Sequence, residues 1–138
     1  MQLSDSAEEA AFRAEAREWL AAHAPAFEAR FPAVPRHSQA ADSPEAYGKI
    51  ERQSHDAARA WQAELHKGGW AGISWPKKYG GRGASPIQTA IFAVEQARFN
   101  VSNGPLMVSI NMVGPTLMAH GTEQQQADHL EKIISVQE

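Results

Sequence analysis

Apolar residues recur every three to four positions along most of this chain, and each stretch is bracketed by a capping residue and a proline or glycine. Phe12, Ala16, Trp19 and Leu20 form the first stripe at helical spacing. Ser6, followed by Glu9, has the form of a capping box ahead of it, and Pro25 predicts the end of this helix. Pro32 and Pro35 mark residues 27–42 as an irregular connector. Ser43-Pro44 then sets a cap and a first-turn proline before a second helix, whose Tyr47, Ile50, Ala57, Trp61 and Leu65 are spaced to face a core. Gly68-Gly69 stops it. Glycines and Pro76 make residues 70–84 a region of tight turns, and Ile73-Ser74-Trp75 is too short to anchor a strand.

Ser85-Pro86 opens a third helix, expected over residues 86–100, with Ile87, Ile91, Val94 and Phe99 spaced for burial. Residues 105–119 carry Leu106, Met107, Val108, Ile110, Met112, Val113, Leu117 and Met118, and no charge before His120. A helix apolar around most of its circumference is buried or faces a cavity. Pro115 predicts a break near Gly114 and a restart with the proline in the first turn. Gly121 ends that piece; Thr122 with Gln125 caps the last helix, which packs through Leu130, Ile133 and Ile134. The pattern therefore predicts an all-α fold, an orthogonal bundle of five to six helices forming one domain over residues 1–138.

Composition narrows the function. The 138 residues carry a net charge of -3, with 13 basic residues scattered rather than gathered into a stripe, which argues against a nucleic-acid partner. No cysteine is present, which excludes disulfides and thiolate chemistry. The acidic, amphipathic N-terminus is unlike a signal peptide, and no apolar run approaches the ~20 residues needed to span a bilayer. A cytoplasmic protein without a membrane partner is the expectation.

Catalytic patterns are sparse. The six histidines never fall at His-x-x-x-His spacing and no acidic pair brackets them, so capping or surface roles are preferred and no metal is expected. His120, just before Gly121, is expected to meet helix-terminal carbonyls. The serines lack a nucleophile elbow, and Ser85 reads better as a cap. Gly80-Gly81-Arg82-Gly83 looks superficially like a phosphate cradle, but it lacks both a preceding strand and the Lys-Ser/Thr of a P-loop. A sharp interhelical corner is the better reading. Glu95, on a largely apolar helix, is a candidate general base with a raised pKa, against a plainer pairing with Arg98, which is preferred. Asn103, Ser109 and Asn111 punctuate a methionine-rich surface. Such a surface suits either an adaptable hydrophobic binding site or ordinary core packing, and packing is the commoner use.

The order of these features resembles the N-terminal helical domain of the acyl-CoA dehydrogenases. The resemblance rests on Gly69-Trp70, on Pro76-x-x-Tyr79-Gly80-Gly81-x-Gly83, on Glu95 in the next helix, and on Leu117-x-x-His120-Gly121-Thr122-Glu123-x-Gln125. It is strongest from Trp61 to Gln125. It implies a parent enzyme that binds FAD and removes hydrogens from Cα and Cβ of an acyl-CoA. In that family a glutamate of the C-terminal bundle takes the α-proton and the flavin takes the β-hydride. By motif position, Asn103, Gly104, Met107, Val108 and Asn111 would face the acyl chain, between the helices read as 86–100 and 105–119.

The resemblance also implies that the chain stops at Glu138, where the flavin-binding β-domain would begin. No catalytic or cofactor-binding residue is then expected within it, and FAD is not expected to be retained by the chain alone. The apolar face would associate with the missing domains or with further copies in a homo-oligomer. A free-standing helical interaction module, and the same domain of an acyl-CoA oxidase or flavin monooxygenase, are the alternative readings.

Overall fold

The computed structural model describes residues 4–33 and 42–137. Among them are five α-helices and no strand: α1 (Ala7–Arg30), α2 (Pro44–Lys67), α3 (Pro86–Gln96), α4 (Gly114–His120) and α5 (Glu123–Ile134). Short 3-10 turns lie at Lys77–Tyr79 and Gly104–Leu106, and a π turn at Ser109–Val113 leads directly into α4. The all-α class is as the pattern predicts. The expected caps form: Ser6 with Glu9, Ser85 with Gln88 and Thr122 with Gln125 each make a reciprocal capping box, and Ser43 caps α2 through the amide of Ala46.

Aromatic side chains join the first three helices. Phe12 and Trp19 of α1, Trp61 of α2, Trp70 of the turn after α2, and Phe92 of α3 form one chain of ring contacts, with Trp70 and Phe92 stacked at 4.8 Å. Arg82 lies over the Trp70 ring at 3.6 Å and also pairs with Glu15, tying the glycine turn to α1. Gly68 is needed at the end of α2 because a Cβ there would fall on the indole of Trp19.

Four expectations need correction. Pro25 does not end α1, which runs on to Arg30. The carbonyl that Pro25 leaves without its amide belongs to Ala21, an exposed residue, while Ala24 and Phe27 are buried and Phe27 packs on Trp61 at 5.0 Å. Burial on either side of the proline outweighs the ~3 kcal/mol a mid-helix proline costs. The connector thus begins later than Phe27, and residues 34–41, Pro35 included, lie outside the described residues. Helix α3 stops at Gln96 and turns its Ile91, Phe92 and Glu95 inward, leaving Ile87 and Val94 exposed; Tyr47 of α2 is exposed as well.

The third correction concerns half of the Pro115 reading. A new helix, α4, does start at Gly114 with Pro115 in its first turn, as expected, but no break precedes it, because the Gly114 backbone is helical (φ -56°, ψ -56°). The chain instead widens into the π turn, in which the Gly114 amide reaches back to the Ser109 carbonyl. The same register would pair residue 115 with the carbonyl of Ile110, but proline has no N–H. Trp75 supplies the missing donor: its indole Nε1 donates to the Ile110 carbonyl at 2.8 Å. Trp75 is buried and its ring rests on Gly114, where any Cβ would overlap it. The fourth correction is His120. The carbonyls at the end of α4 (Leu117, Met118 and Gly121) are met by the side-chain amide of Gln126, whose oxygen in turn accepts from the Tyr79 hydroxyl at 3.1 Å.

Gly114→Ala should therefore destabilise the protein by about 1–3 kcal/mol, although alanine is the better helix former. Gly48→Ala in α2, where the new methyl meets only the flexible end of Arg52, should stabilise it by about 0.5–1 kcal/mol. Urea unfolding of the two variants beside the parent chain gives both signs.

Candidate functional site

Glu95 projects from α3 toward α1, and its side chain is 1% exposed. Arg17 grips it with two donors, Nε to Oε2 at 3.0 Å and Nη2 to Oε1 at 2.9 Å, while Arg13 Nη1 donates to Oε1 at 3.0 Å. Arg98 Nε stands 3.3 Å from Oε2, so the pairing preferred from sequence is present as the last of three. Asp5 holds the other side of Arg13. Hydrogen bonds from Arg17, opposed by burial and reinforced by Arg13, hold the Glu95 carboxyl down to about 2, against a usual 4.5. A general base needs a pKa near the working pH. Glu95 is held far below it and works as a clamp between α1 and α3.

The opposite face of α3 forms one wall of a cavity of about 170 Å³. Thr89, Phe92, Ala93 and Gln96 line it from α3, Leu65 and Trp70 from the end of α2 and the turn after it, and Asn103, Met107, Ile110 and Asn111 from the segment leading into the π turn. Three of the five residues singled out from sequence, Asn103, Met107 and Asn111, thus share one cavity. Gly104 lies on a separate surface hollow with Ser102 and Pro105, and Val108 is exposed. The segment expected to be buried or to face a cavity does both in part: Met107, Ile110 and Asn111 line the cavity and Ile110 and Gly114 are buried, while Val108, Met112 and Val113, with part of Met107, form an exposed apolar face.

Two residues of this site were not visible in the sequence as such. Gln62, fully buried in α2, braces Asn103, and Gln96 accepts from the Trp61 indole at 3.0 Å. Glutamines at helical positions read as surface residues until their partners are known.

The glycine turn is a corner. The amide of Gly80 donates to Lys77, that of Gly81 to Pro76, that of Gly83 to Trp75 and that of Ala84 to Ile73, all within the turn. Those amides are committed and offer no nest for a pyrophosphate, so the turn does not fit the phosphates of a flavin dinucleotide. Among the described residues no helix is long and apolar enough to cross a membrane, and no three His, Asp or Glu are grouped to hold a metal.

The fold and this arrangement place the chain in a family. A sequence profile described as "Acyl-CoA dehydrogenase, N-terminal domain" matches residues 6–137, and the chain belongs to that family as its N-terminal helical domain. It is 32% identical over 127 residues to the acyl-CoA dehydrogenase IpdE1 of Mycolicibacterium smegmatis, a match covering 92% of this chain and 30% of that protein. It is 39% identical over 95 residues to the acyl-CoA dehydrogenase FadE29 of Mycobacterium tuberculosis, covering 67% of this chain and 24% of that protein. Among solved structures it is similar to the Tcur3481-Tcur3483 steroid ACAD, with a TM-score of 0.62 and 30% identity, covering 98% of this chain and 30% of that one. The ChsE4-ChsE5 complex of M. tuberculosis gives a TM-score of 0.60 and 28% identity, covering 98% and 29%. The chain thus spans less than a third of the length of each relative.

The Glu95 clamp has a pH signature. Its folded pKa lies below the unfolded value, so its contribution is complete above about pH 4.5 and is lost as pH falls toward about 2. Glu95→Gln should cost about 2–3 kcal/mol at neutral pH, since the two α1 arginines can still turn to water. It should also flatten the acid loss of stability over that window. Urea midpoints measured from neutral pH downward test this; parallel curves for the two proteins would show that Glu95 is not the group responsible.

Proposed function

We propose that this chain is the helical part of a flavin-dependent enzyme that dehydrogenates an acyl-CoA thioester between Cα and Cβ, and that it supplies one wall of the acyl pocket. The observation that carries the reading is the convergence of Asn103, Met107 and Asn111 with Trp70 and Phe92 on a single cavity between α3 and the π turn. An apolar wall with a few placed amides suits an acyl chain that needs orienting. Gly104 and Val108 adjoin the lining residues Asn103 and Met107 in sequence but do not line this cavity. The family is FAD-dependent in general, and FAD when bound would accept the hydride. The turn amides of this chain do not fit the flavin's phosphates, and the role read here for its cavity residues is toward the acyl group. Similarity to a steroid acyl-CoA dehydrogenase supports a bulky, ring-bearing acyl group.

Met107 lines the cavity and is still 37% exposed, so shortening it enlarges the pocket without opening the core. In the full-length protein, Met107→Ala should shift kcat/KM toward bulkier acyl groups by up to about fourfold per methylene accommodated. Unchanged ratios across a chain-length series, with lowered stability, would make Met107 a packing residue.

The exposed face of Val108, Met112 and Val113 supports association with other domains of the enzyme or with a second copy. By itself the 138-residue chain should purify without flavin absorbance, fail to reduce dye with acyl-CoA, and form a dimer or larger assembly by light scattering. A strictly monomeric chain that binds no apolar dye would favour a free-standing helical module.

A further inference from the structure

We propose that the cavity between α3 and the π turn reads a hydroxyl group on its ligand, through one fixed donor on Gln96 and one fixed acceptor on Asn103. This rests on the acyl-pocket reading above and adds to it a chemical requirement on the acyl group.

The amide orientations are set by partners that have no choice of role. The Trp61 indole can only donate, so the oxygen of Gln96 must face it, at 3.0 Å, and the Gln96 NH2 is turned away. The Ile134 carbonyl can only accept, so the NH2 of buried Gln62 faces it at 3.0 Å. The Gln62 oxygen is then left to accept from Asn103 Nδ2, at 2.7 Å. That bond leaves Asn103 Oδ1 as the free end of the relay.

Gln96 and Asn103 both line the cavity, and neither Gln96 Nε2 nor Asn103 Oδ1 has a hydrogen-bond partner among the described residues. Neither atom is sealed off in the core either, since among the described residues the one buried side-chain polar atom without a partner is the Ser135 hydroxyl. Of the other polar groups of the wall, Thr89 already spends its proton on the Ser85 carbonyl, and Ser74 and Asn111 carry no brace that fixes their orientation. The cavity therefore presents one oriented N–H donor and one oriented oxygen acceptor against stacked Trp70 and Phe92.

A hydroxyl donates one proton and accepts on the same oxygen, so its chemistry matches both a donor such as the Gln96 NH2 and an acceptor such as Asn103 Oδ1. A ketone satisfies Gln96 and strips water from Asn103 without replacing it. An ammonium satisfies Asn103 and sets its protons against the Gln96 NH2. A site built to hydrogen-bond a hydroxyl rejects analogues because its own polar groups are left unpaired.

The test uses three soluble rings of similar size: cyclohexanol, cyclohexanone and cyclohexylammonium. The 138-residue chain, labelled with nitrogen-15, is titrated with each while the side-chain NH2 signals of Gln96 and Asn103 are followed. Cyclohexanol should bind about fivefold more tightly than cyclohexanone and move the Gln96 signal most. In Gln96→Glu the acceptor for Trp61 is kept and the donor is lost, so cyclohexylammonium should overtake cyclohexanol.

Equal binding of alcohol and ketone at the cavity would overturn the hydroxyl reading and leave the acyl pocket standing. No shift of any cavity signal with any ring would overturn both. The wild-type comparison decides alone if the Gln96→Glu chain fails to fold.

Discussion

The hydrogen bond from the Trp75 indole to the Ile110 carbonyl is the joint on which the candidate site is built. Pro115 removes a backbone donor from a helix that otherwise lies against the core. A buried carbonyl left without a partner costs about 1–3 kcal/mol, so the chain must break, hydrate the carbonyl or find another donor. It finds Trp75. That choice fixes much else: the indole needs bare space at Gly114, and the turn around Gly72 and Gly81 closes on the same residue. The glycine-dense segment is therefore a socket for one tryptophan. The π turn it supports brings Met107, Ile110 and Asn111 to one cavity.

The charges complete the frame. With Glu95 held by Arg13 and Arg17, the rotation of α3 about its axis is set: Ile91 and Glu95 face inward toward α1, and Thr89, Phe92 and Gln96 are left for the cavity. Buried ion pairs are weak sources of net stability because desolvation offsets their attraction. Here the carboxylate is buried while the arginines keep contact with water, which limits that cost. The clamp's value lies in excluding other rotational settings of α3, each of which would leave a buried carboxylate unpaired.

Local physics was legible in the sequence, and long-range physics was not. Ser6, Ser43, Ser85 and Thr122 mark helix starts because a cap is a contact between neighbours in the chain. Pro25 misled because its cost is local but the compensating burial of Ala24 and Phe27 depends on α2. Ile87 and Val94 were expected inside and Glu95 with a neighbour, because the two α1 arginines that rotate α3 lie some eighty residues away. One trace of them was present: Arg13 and Arg17 are four apart, hence on one helix face, as partners of a single carboxylate would be. Trp75 left no such trace, since nothing local says that its N–H answers a proline forty residues later. At the site, motif resemblance singled out Asn103, Met107 and Asn111, while Gln62 and Gln96 required the packed helices to be seen.

The proposed place of the acyl group is the cavity between α3 and the π turn. Methionine methyl groups report on it directly, because Met107 lines the cavity while Met112, on the neighbouring turn, is exposed and does not. With methyl-labelled methionine and an acyl-CoA titrated in, the Met107 methyl should shift and broaden first, with Met112 following weakly or not at all. A response confined to Met112, with Met107 unmoved, would place the acyl group on the outer face and contradict its assignment to the cavity.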